Sequence, residues 1–254
     1  MAYYDLPKEA RADLFREMTA LIEKETHQGT WHTTYTYLQD EDTYIRKNAY
    51  LALGKVSKRN AVAKVNALMR LEQLLDDTNP LVRQTVINAA GEIGCFDFEA
   101  VSFFFDKGLF DPHHRVRNAV IGSIKKMSEK NPVPVLAYAA RFLQHEDYEI
   151  RREIVHGIEL RGRTHPEDIL PLLRVLEQDT KARVRNTLVH VLGQIAYKKG
   201  CLETVCADLK QHWQNKKLIA DALAEIIDVH HRYRNFSFYT QEQARNYIEH
   251  YFRN

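Results

Sequence analysis

DPHHRVRNAV, residues 111–120, crowds one aspartate, two histidines and two arginines into its first seven positions. An acid–base or metal site would need such a set. A helix start would also need most of it, with an acid and a proline opening the first turn. The two are separated by asking whether the pattern recurs.

It recurs five times. DEDTYIRKNAYLALGKV (40–56), DTNPLVRQTVINAAGEI (77–93), DPHHRVRNAVIGSIKKM (111–127), HEDYEIRREIVHGIELR (145–161) and DTKARVRNTLVHVLGQI (179–195) align without gaps. Each places Val or Ile before an arginine, giving Arg46, Arg83, Arg117, Arg151 and Arg185, spaced 37, 34, 34 and 34 residues apart. Six residues before the arginine stands Asp40, Asp77, Asp111 or Asp179, with His145 in the fourth unit. A period of this length predicts stacked helix pairs.

Setting each arginine at zero and advancing 100° per residue gathers the apolar and small positions into one stripe near about 300°. In the fifth unit these are Val184, Leu188, Val191, Leu192 and Ile195; in the second, Val82, Val86, Ala89, Ala90 and Ile93. Each motif therefore opens the second helix of a pair. Pro80 and Pro112 fall at first turns, where a missing N–H costs least. Apolar-periodic runs between the motifs supply the first helices: AVAKVNALMRLEQLL, DFEAVSFFFDKGLF, PVPVLAYAARFLQ and HPEDILPLLRVLEQ, the last with Pro171 set to kink it. CLETVCADLKQHWQ and NKKLIADALAEIIDV read as a sixth, less regular pair, with capping helices over residues 7–25 and in TQEQARNYIEHYF.

Asp-x-x-x-x-[Val/Ile]-Arg entering the second helix, small residues after it and a kinked first helix resemble HEAT repeats over about residues 30–228. The resemblance implies an all-α fold, a right-handed α-solenoid of about six HEAT-like helix pairs. It would form a single domain, with residues 1–29 capping one end and 229–254 the other. It further implies that the repeated Asp and Arg join successive repeats by hydrogen bonds; His145 departs from that pattern. The arginines lie about 60° from the stripe centre, on its border, which suits the same structural duty.

Function must then sit where the units differ. The face opposite the stripe carries Lys47, Gln84, Asn118, Arg152 and Asn186 in one row, and Asn88, His156 and His190 in the next. Lys55 and Lys126 stand in a third. Across four rows the face holds six Lys/Arg against two Glu, which predicts a polar, mildly basic concave groove for a protein or peptide partner. Nucleic acid is the alternative partner, with base excision as in HEAT-like alkylpurine DNA glycosylases. Those enzymes use Trp and Asp near a basic groove, whereas Trp31 and Trp213 fall in first helices. Deoxyhypusine hydroxylases, also HEAT-like, repeat His-Glu pairs as iron ligands; only His145-Glu146 occurs here, in an expected turn.

His156 and His190 share one offset in adjacent units, and a metal would need a third ligand from Glu153 or Glu159. Surface histidines are the commoner outcome of such a pair, so no metal, cofactor or catalytic set is expected. Net charge of +2 gives no global pull toward nucleic acid or an anionic membrane. Cys95, Cys201 and Cys206 lack disulfide-framework spacing, and the N-terminus lacks a secretory pattern, so a cytoplasmic protein is expected. No apolar run is long enough to span a bilayer. The cluster HHRYRNFSFY (230–239) is expected to cover the end of the array, its aromatics buried on the last pair.

Overall fold

The computed structural model describes residues 3–253, and its contacts divide the chain after Asn131 into two compact units. The fold is an all-α solenoid of helix pairs; among the described residues there is no strand. The first unit contains α1 (Lys8–Gln28), α2 (His32–Gln39), α3 (Thr43–Arg59), α4 (Ala61–Leu74), α5 (Pro80–Gly94), α6 (Ser102–Leu109) and α7 (His114–Lys130). The second contains α8 (Pro132–Ala140), α9 (Tyr148–Gly162), α10 (Pro166–Arg174), α11 (Ala182–Gln194), α12 (Cys201–His212), α13 (Lys216–Arg232) and α14 (Gln241–Arg253).

In the first unit α1, α3, α5 and α7 pack side by side in that order; in the second α9, α11, α13 and α14 do the same. The arginine motifs thus sit on helices that stack directly within each unit. The stripes do the packing: Val184, Leu188, Val191, Leu192 and Ile195 are fully buried, as are Val86, Ala89, Ala90 and Ile93. Each large side chain so buried contributes roughly 1.5–3 kcal/mol relative to exposure. Glycine sets the spacing where helices come closest. A Cβ on Gly91 of α5 would run into the Ser123 side chain of α7, and one on Gly193 of α11 would stand 2.5 Å from Cγ of Glu225 on α13.

The helix starts follow one design. Asp42, Asn79 and Asp147 each accept the amide N–H two residues on, and His113 does so through Nδ1, satisfying donors that a helix leaves open. Two residues earlier, Asp40, Asp77, Asp111 and Asp179 hold the turn the same way, and His145 Nδ1 accepts from the Asp147 amide at 3.1 Å. The histidine therefore retains the turn-forming part of the aspartate's work.

Each motif arginine reaches back over its own turn. Nη1 of Arg83 donates to the carbonyls of Asp77 and Thr78 at 2.8 and 3.3 Å; that of Arg151 to His145 and Glu146 at 2.6 and 3.0 Å. Arg46, Arg117 and Arg185 make the corresponding bond to Asp40, Asp111 and Asp179. The other edge of the guanidinium is used between repeats. Arg83 grips Asp111 with Nε and Nη2 at 2.7 and 3.0 Å, and Arg151 grips Asp179 at 2.7 and 3.2 Å. Arg46 makes no such grip on Asp77, whose Oδ2 accepts from the Tyr35 hydroxyl at 2.9 Å. The three extra residues between the first two motifs change the register there.

Four segments differ from the sequence expectation. The run at 97–110 breaks into a 3-10 turn (Glu99–Val101) and the short α6. α8 and α10 are each 9 residues long and then tighten into turns with N–H bonds three residues back. In α10 the interior Pro171 offers no N–H and crowds the preceding turn. The aromatics of 230–239 are not buried as a group. Phe236 and Phe238 are 74% and 51% exposed, while Tyr233 stacks on Tyr197 and the Phe238 amide bonds the Tyr197 carbonyl. Phe236 and Phe238 flank Ser237 in a non-helical stretch, and that backbone bond leaves both rings outward.

Removing one half of a gripped pair should be costly. Asp179→Ala strands Arg151 and should lose about 3 kcal/mol; Asp179→Asn, which still accepts the Lys181 amide, should lose less. Urea unfolding midpoints check this, and equal small losses would contradict it. A second expectation concerns acid. Burial lowers the pKa of His230, fully enclosed in α13, and its Nδ1 bond to the Ile226 carbonyl at 2.8 Å only partly opposes that. Stability should therefore be complete above the unfolded value of about 6.5 and fall as pH drops toward the lower folded one. In His230→Leu that fall should disappear. The loss from Asp111 and Asp179 comes later: burial raises their pKa values, but the arginine and amide bonds outweigh it and hold them low. Their contribution persists above about pH 3.9 and is lost below it.

Candidate functional site

On the first unit, Lys47 of α3 and Gln84 and Asn88 of α5 line one cleft of about 270 Å³, together with Tyr44, Arg46 and Tyr50. Arg46 is only 8% exposed, and burial with the nearby Arg115 charge lowers its pKa, so the cleft floor is cationic but costly to desolvate further. Lys55 lies over the Phe15 ring at 5.5 Å. Asn118 is exposed on α7. Lys126 is committed to Glu92, with both carboxylate oxygens 2.5 Å from Nζ.

On the second unit, Arg152 pairs with Glu149 at 2.7 Å and approaches Glu153 at 3.6 Å, while Asn186 is exposed. Glu149 also pairs with Arg183. The excess of positive charge read from the four rows is thus offset by acids at other offsets. Opposite charges meet on this face at separations that helix periodicity alone does not order.

The strongest assembly of polar groups is on α9 and α11. His156 and His190 stand with ring centroids 6.0 Å apart. Glu159, with its side chain 2% exposed, lies 2.9 Å through Oε2 from His156 Nδ1. Nε of Arg163 donates to Oε1 of the same carboxylate at 3.1 Å, and Nη2 reaches Oε1 of Gln194 at 3.0 Å. Nδ1 of His190 faces Glu225 of α13 at 3.5 Å. His156, Glu159 and His190 each offer one ligand atom, all within 4.8 Å of one another. Sequence spacing had paired the histidines and offered Glu153 and Glu159 as alternatives. Glu159 closes the set; Glu153 lies beside Arg152. Glu225 is not legible from the repeat alignment, because it sits in the irregular sixth pair, where the motif that gives the offsets has decayed.

The remaining candidates are structural in geometry. Trp31 and Trp213 are 6% and 5% exposed, and the Trp213 indole donates to Asp208 at 2.7 Å, so neither ring is placed to stack on a base. Burial pushes the Cys206 thiol up to about 12 and, with the Glu92 charge, the Cys95 thiol up to about 11, away from nucleophilic use. No helix among the described residues is long and apolar enough to cross a membrane.

The family model of the non-SMC mitotic condensation complex subunit 1 matches residues 10–156, and that of HEAT repeats matches residues 137–227. Similar solved structures include Escherichia coli YibA, 17% identical, covering 87% of this chain and 70% of that one, with a TM-score of 0.36. The complex of CpcE and CpcF of phycocyanin lyase from Nostoc sp. is 17% identical over 86% of this chain and 93% of that one, with a TM-score of 0.37. Computationally designed armadillo repeat proteins for modular peptide recognition are 18% identical over 76% of this chain and 98% of that one, with a TM-score of 0.33. A search of the curated proteins finds no match. With one model matching more than half of its length and the repeats matched onward to residue 227, the chain belongs to the family of the condensation complex subunit 1, made of HEAT-like repeats.

Proposed function

We propose that this chain is a non-enzymatic scaffold that holds a protein or peptide partner along the polar face of its second helices. The observation that carries this reading is the cleft between α3 and α5, where Lys47, Gln84 and Asn88 meet two tyrosines. A carboxamide donates and accepts at once, so Gln84 and Asn88 suit the alternating C=O and N–H groups of an extended peptide. Lys47 adds attraction for an acidic side chain, and Tyr44 and Tyr50 supply flat, amphipathic contact area. The matched family is described as a subunit of a complex, which supports a protein partner.

Salt and nuclease separate this from the nucleic-acid alternative. The purified chain should retain its partners from native lysate after nuclease treatment, and the retained protein should bind the Lys47→Glu, Asn88→Ala double variant about tenfold more weakly, a loss of about 1.4 kcal/mol. Release of all bound material by nuclease, with a steeply salt-dependent duplex shift, would replace the protein partner by a phosphate backbone. Full retention by the double variant would remove the cleft from the interface.

A further inference from the structure

Three of the five motifs share one more residue, a glycine eight positions after the arginine. Gly54, Gly91 and Gly193 occupy that position in the first, second and fifth repeats. Each faces a residue of the next stacked helix at a distance that admits no Cβ without displacement. The third repeat has the half-exposed Lys125 there, and the fourth has Glu159, whose side chain is 2% exposed. A nearly buried carboxylate at a close-packed position adds a desolvation cost that a glycine or alanine would avoid. Stacking does not require it, and it stands between two imidazoles from adjacent helices.

We propose that His156, Glu159 and His190 bind one divalent transition-metal ion, zinc by the character of its donors, with a fourth position open to water or to an exogenous ligand. Two nitrogens and one carboxylate oxygen suit zinc and its first-row neighbours better than calcium or magnesium, which take oxygen donors. Three protein ligands leave one corner of a tetrahedron free.

The surroundings supply what such ligands need. Arg163 holds Oε1 of Glu159, leaving Oε2 on the histidine side, and Gln194 in turn accepts from Arg163. Glu225 faces Nδ1 of His190 at 3.5 Å, which leaves the opposite ring nitrogen for an ion and offers the carboxylate partner that a ligating histidine usually has. The carboxylate is buried and positioned, while His156 and His190 have 35% and 39% of their side chains exposed and can rotate. Ligand atoms now within 4.8 Å must close to the roughly 3.3 Å edge of a zinc tetrahedron with bonds of about 2.0 Å, and these two rings can make that movement. The inference does not rest on partner binding: it concerns the second unit and is read on the isolated chain.

The test is titration of the full-length chain with Co²⁺ as a spectroscopic stand-in, followed by displacement with Zn²⁺. One ion per chain should bind with the intense d–d absorption of a tetrahedral nitrogen–oxygen site and without a thiolate charge-transfer band, and zinc should bleach it. His156→Ala and His190→Ala should each weaken binding at least about tenfold, since losing even an outer-shell partner of a ligand costs that much, with circular dichroism and melting of the metal-free chain unchanged. Cys206→Ser should bind as the parent does. A missing tetrahedral spectrum, a thiolate band, or undiminished affinity in both histidine variants would overturn the proposal and leave the cluster as a hydrogen-bonded ion pair.

Discussion

The backward reach of one arginine per repeat is the constraint on which the rest of this structure depends. The turn between two helices carries carbonyls that neither helix pairs, and it must present the new helix at the correct angle. The guanidinium answers both needs, because one of its nitrogens covers carbonyls five and six residues back. A lysine could neutralise a carboxylate but could not bond two carbonyls and a bidentate acid in one plane. The second edge of the fork then decides whether adjacent repeats are tied together.

That second use is selective. Arg83 and Arg151 carry it out on Asp111 and Asp179, each within its own unit. Arg46 does not, since a longer first repeat hands Asp77 to Tyr35. His145 replaces the acid altogether and keeps the turn bond to the Asp147 amide. Between α3 and α5, where the grip is absent, stacking persists through the apolar stripes and the glycine contacts. The arginine's local bond to its own turn is the part common to all five motifs.

Against this regular frame, the departures are informative. Glycine at the eighth position after the arginine lets stacked helices approach; a glutamate there costs desolvation and gathers histidines and an arginine around it. The amide-lined cleft of the first unit likewise uses positions that the stripe leaves free. In both places the scaffold is unchanged and only side chains outside the apolar stripe differ.

Much of the architecture was legible in the residues themselves. A 34-residue period, an apolar stripe at helical spacing and an arginine on its border determine helix pairs, their order and their buried face, because local geometry and hydrophobic periodicity are properties of the chain alone. The Asn79–Pro80 start is equally local, whereas Pro112, expected at a first turn, lies before the His113 cap and outside α7, because the turn held by Asp111 takes it up. What the tertiary structure decided lies in pairings between helices. Glu149, Glu159 and Glu225 cancel or collect charges that the aligned rows had counted as free, since the partner of a side chain is set by which helix packs against its own. Phe236 and Phe238 look outward for a similar reason: a backbone bond from one loop to the Tyr197 carbonyl, which no periodicity announces, turned them there.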